Sequence, residues 1–355
     1  MQIDPVFFNA GRWGLGYDPA VGEWSEEHVQ PMLDMIGGVL PDRGPLRPVM
    51  YTNASSDDPA NLPSHIRAEC PELPRPLFST PVGAHNGDSR NNGATKAKAF
   101  CCAFDKWLSA LPQWHPYFAV IDSNECHHLS VPLSAWALRP TPPDRARIVV
   151  NFDAHADIQT GVPVTRPLRC DNWGLYVLRP IGDVYPQAAA DTYVGIGNNT
   201  GSPTPWGDSF AFARWGTLTK TPLGPGDMAT QLDAVITLLD RQQQWSGYDL
   251  YISVDRDIES SSFTDYGDGR YTPNDVWARV ADFIRAAQAR GVRCVGFDIC
   301  GLPTVNGRSR ISDDWSEEQR IDRALEDIVA FTEAIDRLPE AAPPPFPQDR
   351  LVSSG

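Results

Sequence analysis

Two short motifs place acidic residues and a histidine at alternate positions, each directly after an apolar run. The first reads NFDAHADIQT and includes Asp153, His155 and Asp157, and the second reads LYISVDRDIE and includes Asp255 and Asp257. Side chains at positions i, i+2 and i+4 of an extended chain point to the same side. We therefore expect the acidic side chains of each motif to converge where a strand ends.

Four carboxylates in one pocket cannot all stay ionised, because like charges at short range raise each other's pKa values. Arg256 lies inside the second motif, but strand alternation points it away from Asp255 and Asp257. Two divalent cations would balance four carboxylates, and imidazoles would complete the ligand sets. Oxygen and nitrogen ligands without thiolate favour Mn²⁺ over structural zinc. The pattern predicts a centre of two metal ions, either two Mn²⁺ ions or similar hard-to-borderline ions.

A polar strand end exposed to water is the simpler interpretation of either motif alone. The second motif and the histidine pair His127-His128, which follows another apolar run, together favour metal binding. In parallel α/β sheets, ligands bind beyond the carboxyl ends of the strands, where all three polar stretches would lie.

The elements that would position these residues alternate between strand and helix. Apolar runs predict strands at 118–122, 147–152, 192–197, 250–254 and 294–300. Periodicity and capping residues predict helices at 96–111, near 227–243, from Pro273 to about Gly291, and from Ser316 onward. This order predicts an α/β fold with a mostly parallel sheet covered on both faces.

The sequence predicts a single domain with additional segments at both ends. It has 355 residues with 33 prolines and 28 glycines, which indicates long connections. We expect a loop-rich N-terminal region packed on the core (1–115), an α/β metal-binding core (116–338) and a proline-rich tail (339–355).

Composition excludes several classes of partner. A net charge of −15 argues against binding to a phosphate backbone. We find neither a signal peptide nor a run of about 18 apolar residues that could span a membrane. The seven cysteines form no C-x-x-C pattern, which favours reduced thiols and a cytoplasmic location. Homo-oligomerisation is left open.

These residues resemble the ureohydrolase superfamily of arginases and agmatinases, whose D-A-H-x-D and S-x-D-x-D motifs hold two manganese ions. The resemblance covers about residues 117–303 and implies a three-layer arginase-like fold. It implies that one ion is held by His127, Asp153, Asp157 and Asp255, and the other by Asp153, His155, Asp255 and Asp257. Asp157 and Asp255 would be catalytic, with Asp157 passing a proton to the departing amine and Asp255 bridging the ions.

Two departures from the superfamily pattern concern the substrate. Gly301 stands where the arginases have a glutamate that pairs with the guanidinium, so the resemblance leaves that partner unassigned; Glu125 and Glu259 are candidates. A histidine of the superfamily is replaced in the stretch Asn172-Trp173, where Asn172 would orient the substrate and Trp173 would line the pocket.

The resemblance is strongest to the peptide arginases, which convert arginine in a ribosomal precursor peptide to ornithine and release urea. The expected partner is thus an arginine-containing peptide or a small guanidino substrate, without nucleic acid or membrane. Alternatives are a small-molecule amidinohydrolase acting on agmatine or a guanidino acid, and an amide hydrolase of the deacetylase type. A non-catalytic peptide-binding homologue and a metal-free scaffold are two further alternatives.

Overall fold

The computed structural model of the chain describes the central sheet and the helices that pack on it. The described residues are 4–9, 47–50, 117–121, 127, 130–155, 157–158, 172–179, 188–197, 210–214, 217–219, 232–233, 235–237, 245–260, 271–301 and 317–336. The helix predicted at 96–111 and the proline-rich tail lie outside these residues.

One sheet of nine strands runs through the described part of the chain. The strands are β1 (Asp4–Asn9), β2 (Arg47–Met50), β3 (Tyr117–Ile121), β4 (Arg145–Phe152), β5 (Thr192–Ile196), β6 (Phe210–Arg214), β7 (Thr217–Thr219), β8 (Gly247–Asp255) and β9 (Arg293–Cys300). Their order is β2-β1-β3-β9-β8-β4-β5-β6-β7. All neighbours are parallel except β5 with β6 and β6 with β7, which are antiparallel. The predicted mostly parallel sheet is confirmed.

Helices cover both faces of this sheet. The described helices are α1 (Ser130–Leu138), α2 (Trp173–Val177), α3 (Pro273–Ala289) and α4 (Glu317–Asp336), and a 3-10 turn follows β8 (Arg256–Ile258). Residues 232–233 and 235–237 are also helical, within the helix predicted near 227–243. None of the helices in the described segments is both long and apolar enough to cross a bilayer.

One face of the sheet is an apolar core. Phe152 of β4 meets Phe283 of α3 edge-on at 5.8 Å between ring centroids, and Phe297 of β9 meets Phe331 of α4 at 6.3 Å. All four rings are fully buried, and burying each one stabilises the fold by about 1.5–3 kcal/mol. Alternation then turns the intervening residues of β4, β8 and β9 to the opposite face, which carries the polar side chains.

The opposite face packs closely on α1. A Cβ atom on Gly296 of β9 would lie 2.9 Å from the Cβ of Ala137 in α1 and 2.9 Å from the ring of Tyr251 in β8. A side chain at this position would force the helix away from the sheet. Because Gly296 has no side chain, α1 can pack close to the strands whose carboxyl ends carry the acids.

The capping prediction for α3 is confirmed. Thr272 is the N-cap, and its Oγ1 accepts a hydrogen bond from the backbone N–H of Asp275. Pro273 is the first helical residue, where its missing N–H is tolerated. After the helix, Gly291 adopts φ +64°, a left-handed conformation that favours glycine.

Strands at both edges of the sheet were not predicted. β1 and β2 come from the region expected to be loop-rich and extend the sheet beyond β3, and β6 and β7 form an antiparallel edge beyond β5. β1 and β2 are short, at six and four residues, and each contains a proline. Too few residues alternate in such strands to give a periodic signal.

Candidate metal centre

Four neighbouring strands bring the candidate ligands together at their carboxyl ends. The strands β3, β9, β8 and β4 lie side by side in parallel, so their carboxyl ends lie on the same side of the sheet. Asp153 follows β4, Asp255 ends β8, and His127 comes six residues after β3 ends. Residues that are distant in sequence therefore meet because the strand order, and not the chain order, sets their proximity.

His127 faces three carboxylates through one ring nitrogen. Its Nδ1 atom lies 3.0 Å from Asp157 Oδ2, 3.3 Å from Asp255 Oδ2 and 3.5 Å from Asp153 Oδ2. The imidazole is 1% exposed, and Nδ1 has no hydrogen-bond partner of acceptable geometry. A buried nitrogen without a partner, surrounded by carboxylate oxygens, is the arrangement expected around a cation.

His155 forms the second half of the cluster. Its Nδ1 lies 2.7 Å from Asp257 Oδ2 and 3.5 Å from Asp153 Oδ1. The two oxygens of Asp153 thus face the two histidines, one oxygen each. The side chain of His155 is 37% exposed, so this half of the cluster opens towards solvent while the His127 half is closed.

Backbone and side-chain donors hold the carboxylates in place. The backbone N–H of His155 donates to Asp153 Oδ1 at 2.6 Å, and that of Asp257 donates to Asp255 Oδ1 at 3.0 Å. Asn151, two residues before Asp153 on the same face of β4, donates to Asp153 Oδ2 at 2.8 Å. These bonds fix the acids before any cation binds.

A chain of hydrogen bonds fixes the tautomer of His127. Its Nε2 lies 2.8 Å from Ser253 Oγ, and Ser253 donates its hydroxyl proton to Asp298 Oδ1 at 2.5 Å. Tyr251 donates to the other oxygen of Asp298, also at 2.5 Å. Because Ser253 donates to Asp298, its oxygen accepts from Nε2–H, so Nδ1 is the nitrogen that would bind a metal after losing its proton.

Trp173 supports the centre from α2. Its indole Nε1 donates to Asp157 Oδ2 at 2.7 Å, and its ring lies 4.7 Å from the imidazole of His127.

Asp157 has a positive φ of 47°, unusual for a residue with a side chain. The backbone N–H of Gly174 donates to the carbonyl of Asp157, and a Cβ on Gly174 would lie only 2.8 Å from Ile158 Cγ1. Close packing of α2 thus stabilises this backbone conformation.

Burial and the close spacing of the carboxylates shift the pKa values of the cluster. Burial and the neighbouring Asp153 raise the pKa of Asp157 well above its usual range, and burial and Asp255 do the same for Asp257. Burial alone would lower the pKa of His155, but Asp153 and Asp257 raise it to about 12. Protons on these groups offset the crowded negative charge when no metal ion is bound. Divalent cations would displace those protons.

The residues fit a pair of divalent cations. Ligand atoms of His127, Asp153 and Asp157 lie within 4.8 Å of one another, as do those of Asp153, His155 and Asp257. Asp153 belongs to both groups. The structure therefore brings together all six predicted metal ligands, and their individual roles in binding stay predictions.

Cys300 was missed as a member of this cluster. It ends β9 directly opposite Asp255 of β8, and its thiol belongs to a third group with His127 and Asp255, again within 4.8 Å. Burial, with the nearby Asp255, raises the pKa of the Cys300 thiol well above its usual value. The sequence interpretation had no thiolate at the site. No signal within β9 alone indicates Cys300, because its position beside Asp255 depends on the register between β8 and β9.

Predicted substrate-binding residues lie in different surroundings. Trp173 is fully buried beside Asp157, and Asn172, the N-cap of α2, is 5% exposed. Glu259 is also fully buried, where its Oε2 accepts from Arg323 of α4 at 3.2 Å. Burial and the nearby Asp327 raise the pKa of Glu259 to about 8. Glu125 lies outside the described residues, and all four assignments stay predictions.

Arg256 anchors the loop between two predicted ligands. Its side chain points away from Asp255 and Asp257 into the helical layer, where Nε donates to Asp327 of α4 at 2.7 Å and a terminal nitrogen donates to the Gly301 carbonyl at 2.8 Å. Both Arg256 and Asp327 are fully buried. This ion pair ties the loop that carries Asp255 and Asp257 to α4.

Comparison with known proteins identifies the fold. Searches against protein-family profiles and curated protein sequences find no match. Among solved structures, an Entamoeba histolytica arginase in complex with L-ornithine is similar, with a TM-score of 0.50 and 12% identity, covering 94% of this chain and 99% of that one. A Helicobacter pylori arginase has a TM-score of 0.48 and 13% identity, covering 93% and 99%. A hypothetical agmatinase from Burkholderia thailandensis has a TM-score of 0.43 and 14% identity, covering 94% and 87%.

The chain has an arginase-like α/β fold, as predicted. At 12% identity the similarity concerns the fold, so the reaction must be argued from the site.

Proposed function

We propose that this protein is a hydrolase with two divalent metal ions that cleaves a guanidinium C–N bond. The substrate we propose is an arginine side chain in a ribosomal precursor peptide, converted to ornithine with release of urea. The observation that carries the proposal is the position of Asp153, whose two oxygens each lie 3.5 Å from a different histidine. The arginase-like fold is compatible with this chemistry.

His127, Asp153, Asp157 and Asp255 would hold one cation, and Asp153, His155, Asp255 and Asp257 the other. The ligands within the two Asp motifs are oxygen and nitrogen atoms, for which Mn²⁺ is a suitable ion. Two such cations would lower the pKa of water and so supply a nucleophile near neutral pH.

The protein's own residues orient the reaction. Trp173 donates to Asp157 Oδ2 at 2.7 Å and so fixes the carboxyl group that would pass a proton to the departing amine. The exposed side of the cluster, at His155, is where the guanidinium would enter, since the His127 side is closed.

A peptide substrate is supported by two features of the sequence. Gly301 stands where the arginases have a glutamate that pairs with the guanidinium, and Trp173 stands where they have a histidine. Both changes argue against the contacts used for free arginine. A backbone on either side of the arginine would supply binding energy that these contacts no longer give.

Urea release tests this proposal. Metal-stripped protein is reloaded with Mn²⁺ and incubated with an arginine-containing peptide, free arginine or agmatine, and urea and the mass of the peptide are measured. Urea from the peptide together with the mass change from arginine to ornithine is the expected result. Urea from agmatine alone would favour a small-molecule amidinohydrolase, and bound metal without urea from any substrate would favour a non-catalytic peptide-binding homologue.

Matched variants identify the site. We expect Asp257→Asn to abolish urea release, because Asp257 lies 2.7 Å from His155. Asp191→Asn is the control. Asp191 pairs with Arg147 near the amino end of β4, far along the strand from the acidic cluster at its carboxyl end. Equal loss in both variants would show that the acidic cluster is not the reactive site.

A further inference from the structure

The His127 side of the cluster contains a cysteine thiol that the two Asp motifs do not reveal. Two adjacent cross-strand pairs on one face of the sheet are involved. Ser253 of β8 lies opposite Asp298 of β9, and two residues further along, Asp255 lies opposite Cys300. Strand alternation turns Asp255 and Cys300 to the same side as the bonded pair Ser253 and Asp298. The register therefore places the Cys300 thiol beside a predicted metal-bridging carboxylate.

The distances suit a shared cation. Ligand atoms of His127, Asp255 and Cys300 all lie within 4.8 Å of one another. Two ligands on opposite sides of one ion, at about 2.3 Å for sulfur and 2.1 Å for nitrogen, are about 4.4 Å apart at most. A small side-chain adjustment therefore brings all three atoms onto one ion.

A second observation points to a ligand at the same place. His127 Nδ1 is buried, has no hydrogen-bond partner of acceptable geometry, and is held facing the acids by the bond between Nε2 and Ser253. Cys300 is itself fully buried, at the closed side of the cluster. Cys294, the other cysteine of β9, is also buried but belongs to none of the ligand groups found among the described residues.

We propose that Cys300 binds, as a thiolate, the metal ion held by His127 and Asp255. On binding, the thiol proton is released to solvent and a sulfur–metal bond forms, as for other coordinating thiols. The inference rests on the proposed metal centre and changes the expected ion at one of its two positions. A thiolate ligand favours Fe²⁺, Co²⁺ or Zn²⁺ over Mn²⁺ there, whereas the His155 position keeps oxygen and nitrogen ligands alone.

The additional negative charge agrees with a cationic substrate. Four aspartates and one thiolate exceed the charge of two divalent cations by one. A bound guanidinium would cancel that excess in a site where uncompensated charge is costly.

Cobalt spectroscopy tests the sulfur bond without measuring catalysis. Metal-stripped, full-length protein is titrated with Co²⁺ while the visible d–d bands and the near-ultraviolet thiolate-to-cobalt charge-transfer band are recorded. We expect both sets of bands in the wild-type protein. In Cys300→Ser and Cys300→Ala the charge-transfer band should disappear while the d–d bands remain, and Co²⁺ affinity should fall by at least roughly tenfold, the lower end of the loss for a supporting residue.

Two cysteine variants serve as controls. Cys294→Ser removes a buried thiol from the same strand, and Cys126→Ser removes the thiol next to His127 in the chain. Both should keep the charge-transfer band. Circular dichroism and thermal unfolding of each variant confirm that the fold is intact. If neither Cys300 variant folds, X-ray absorption of Co²⁺-loaded Cys126→Ser protein takes their place, with sulfur at about 2.3 Å expected.

The outcomes separate this inference from the proposed function. If d–d bands appear without a charge-transfer band, or if the band survives in Cys300→Ser, the thiolate assignment is wrong while the metal centre stands. Absence of sulfur around cobalt in the absorption experiment would have the same meaning. If the wild-type protein binds no Co²⁺ at all, the metal centre and the thiolate are both refuted.

Discussion

The hydrogen bond between Ser253 and His127 gives the most specific prediction for metal binding. Ser253→Ala removes the acceptor of the Nε2 proton at 2.8 Å, so the imidazole can change its tautomer or rotate. The loss of such a supporting residue lowers metal affinity by about 10–100-fold, which corresponds to about 1.4–2.7 kcal/mol. We therefore expect the dissociation constant of Mn²⁺ at the His127 position to rise within that range.

Stability is affected as well, because Ser253 also donates to Asp298 at 2.5 Å. Leaving a buried acceptor short of a donor costs about 1–3 kcal/mol. The matched control is Ser134→Ala. Ser134 is equally buried, lies in α1, and donates only to the Val131 carbonyl at 3.1 Å among the described contacts. Its loss should cost about 0.5–1.5 kcal/mol of stability and leave metal affinity unchanged.

Calorimetric titration of metal-stripped protein with Mn²⁺ measures the affinity, and urea unfolding of the same samples measures stability. The reasoning predicts a change in affinity for Ser253→Ala alone. Unchanged Mn²⁺ affinity in Ser253→Ala, or equal losses in both variants, would show that the bond to Ser253 does not orient the ligand nitrogen.

Four further predictions concern the same cluster and its supports. Asp153→Ala should lose both ions in elemental analysis, because Asp153 faces both histidines; loss of one ion would place Asp153 in one position only. Mn²⁺ at about 100 times its dissociation constant should stabilise the fold by about 2.7 kcal/mol, seen as a higher melting temperature that a chelator reverses; no shift would argue against binding to the native state. Mn²⁺ affinity should increase between about pH 6 and pH 8, because the imidazoles must release protons to bind metal and their pKa values are raised, to about 12 for His155. Calorimetry in buffers of different ionisation enthalpy should detect the released protons. Mn²⁺ binding that does not depend on pH would contradict this prediction. Asp327→Asn should lower the free energy of unfolding by about 3–5 kcal/mol, since Arg256 and Arg323 both lose a carboxylate 2.7 Å away. A change below about 1 kcal/mol in urea unfolding, the range of an exposed pair, would show that these two pairs do not stabilise the fold.

Much of the central fold could be predicted from local patterns. The apolar runs before Asp153 and Asp255 became the buried strands β4 and β8, and the Thr272-Pro273 cap became the first turn of α3. These signals are local, since period-2 burial and capping depend on residues within a few positions of each other. Edge strands such as β1 carry too few alternating residues to be recognised in the same way.

The sequence alone indicated which acids converge, although alternation in an extended chain applies only up to the ends of β4 and β8: Asp257 lies in the 3-10 turn that follows β8, and Asp157 has a φ of 47°. It also determined that Arg256 would point away from them, and the structure places that side chain in the helical layer beside Asp327. The tertiary structure decided which residues join the acids from other strands. Ser253 and Cys300 reach the cluster through the register between β8 and β9, which depends on how two separate segments pair. No single segment contains that information, so the hydrogen bond that orients His127 and the thiol beside Asp255 are visible only in the folded chain.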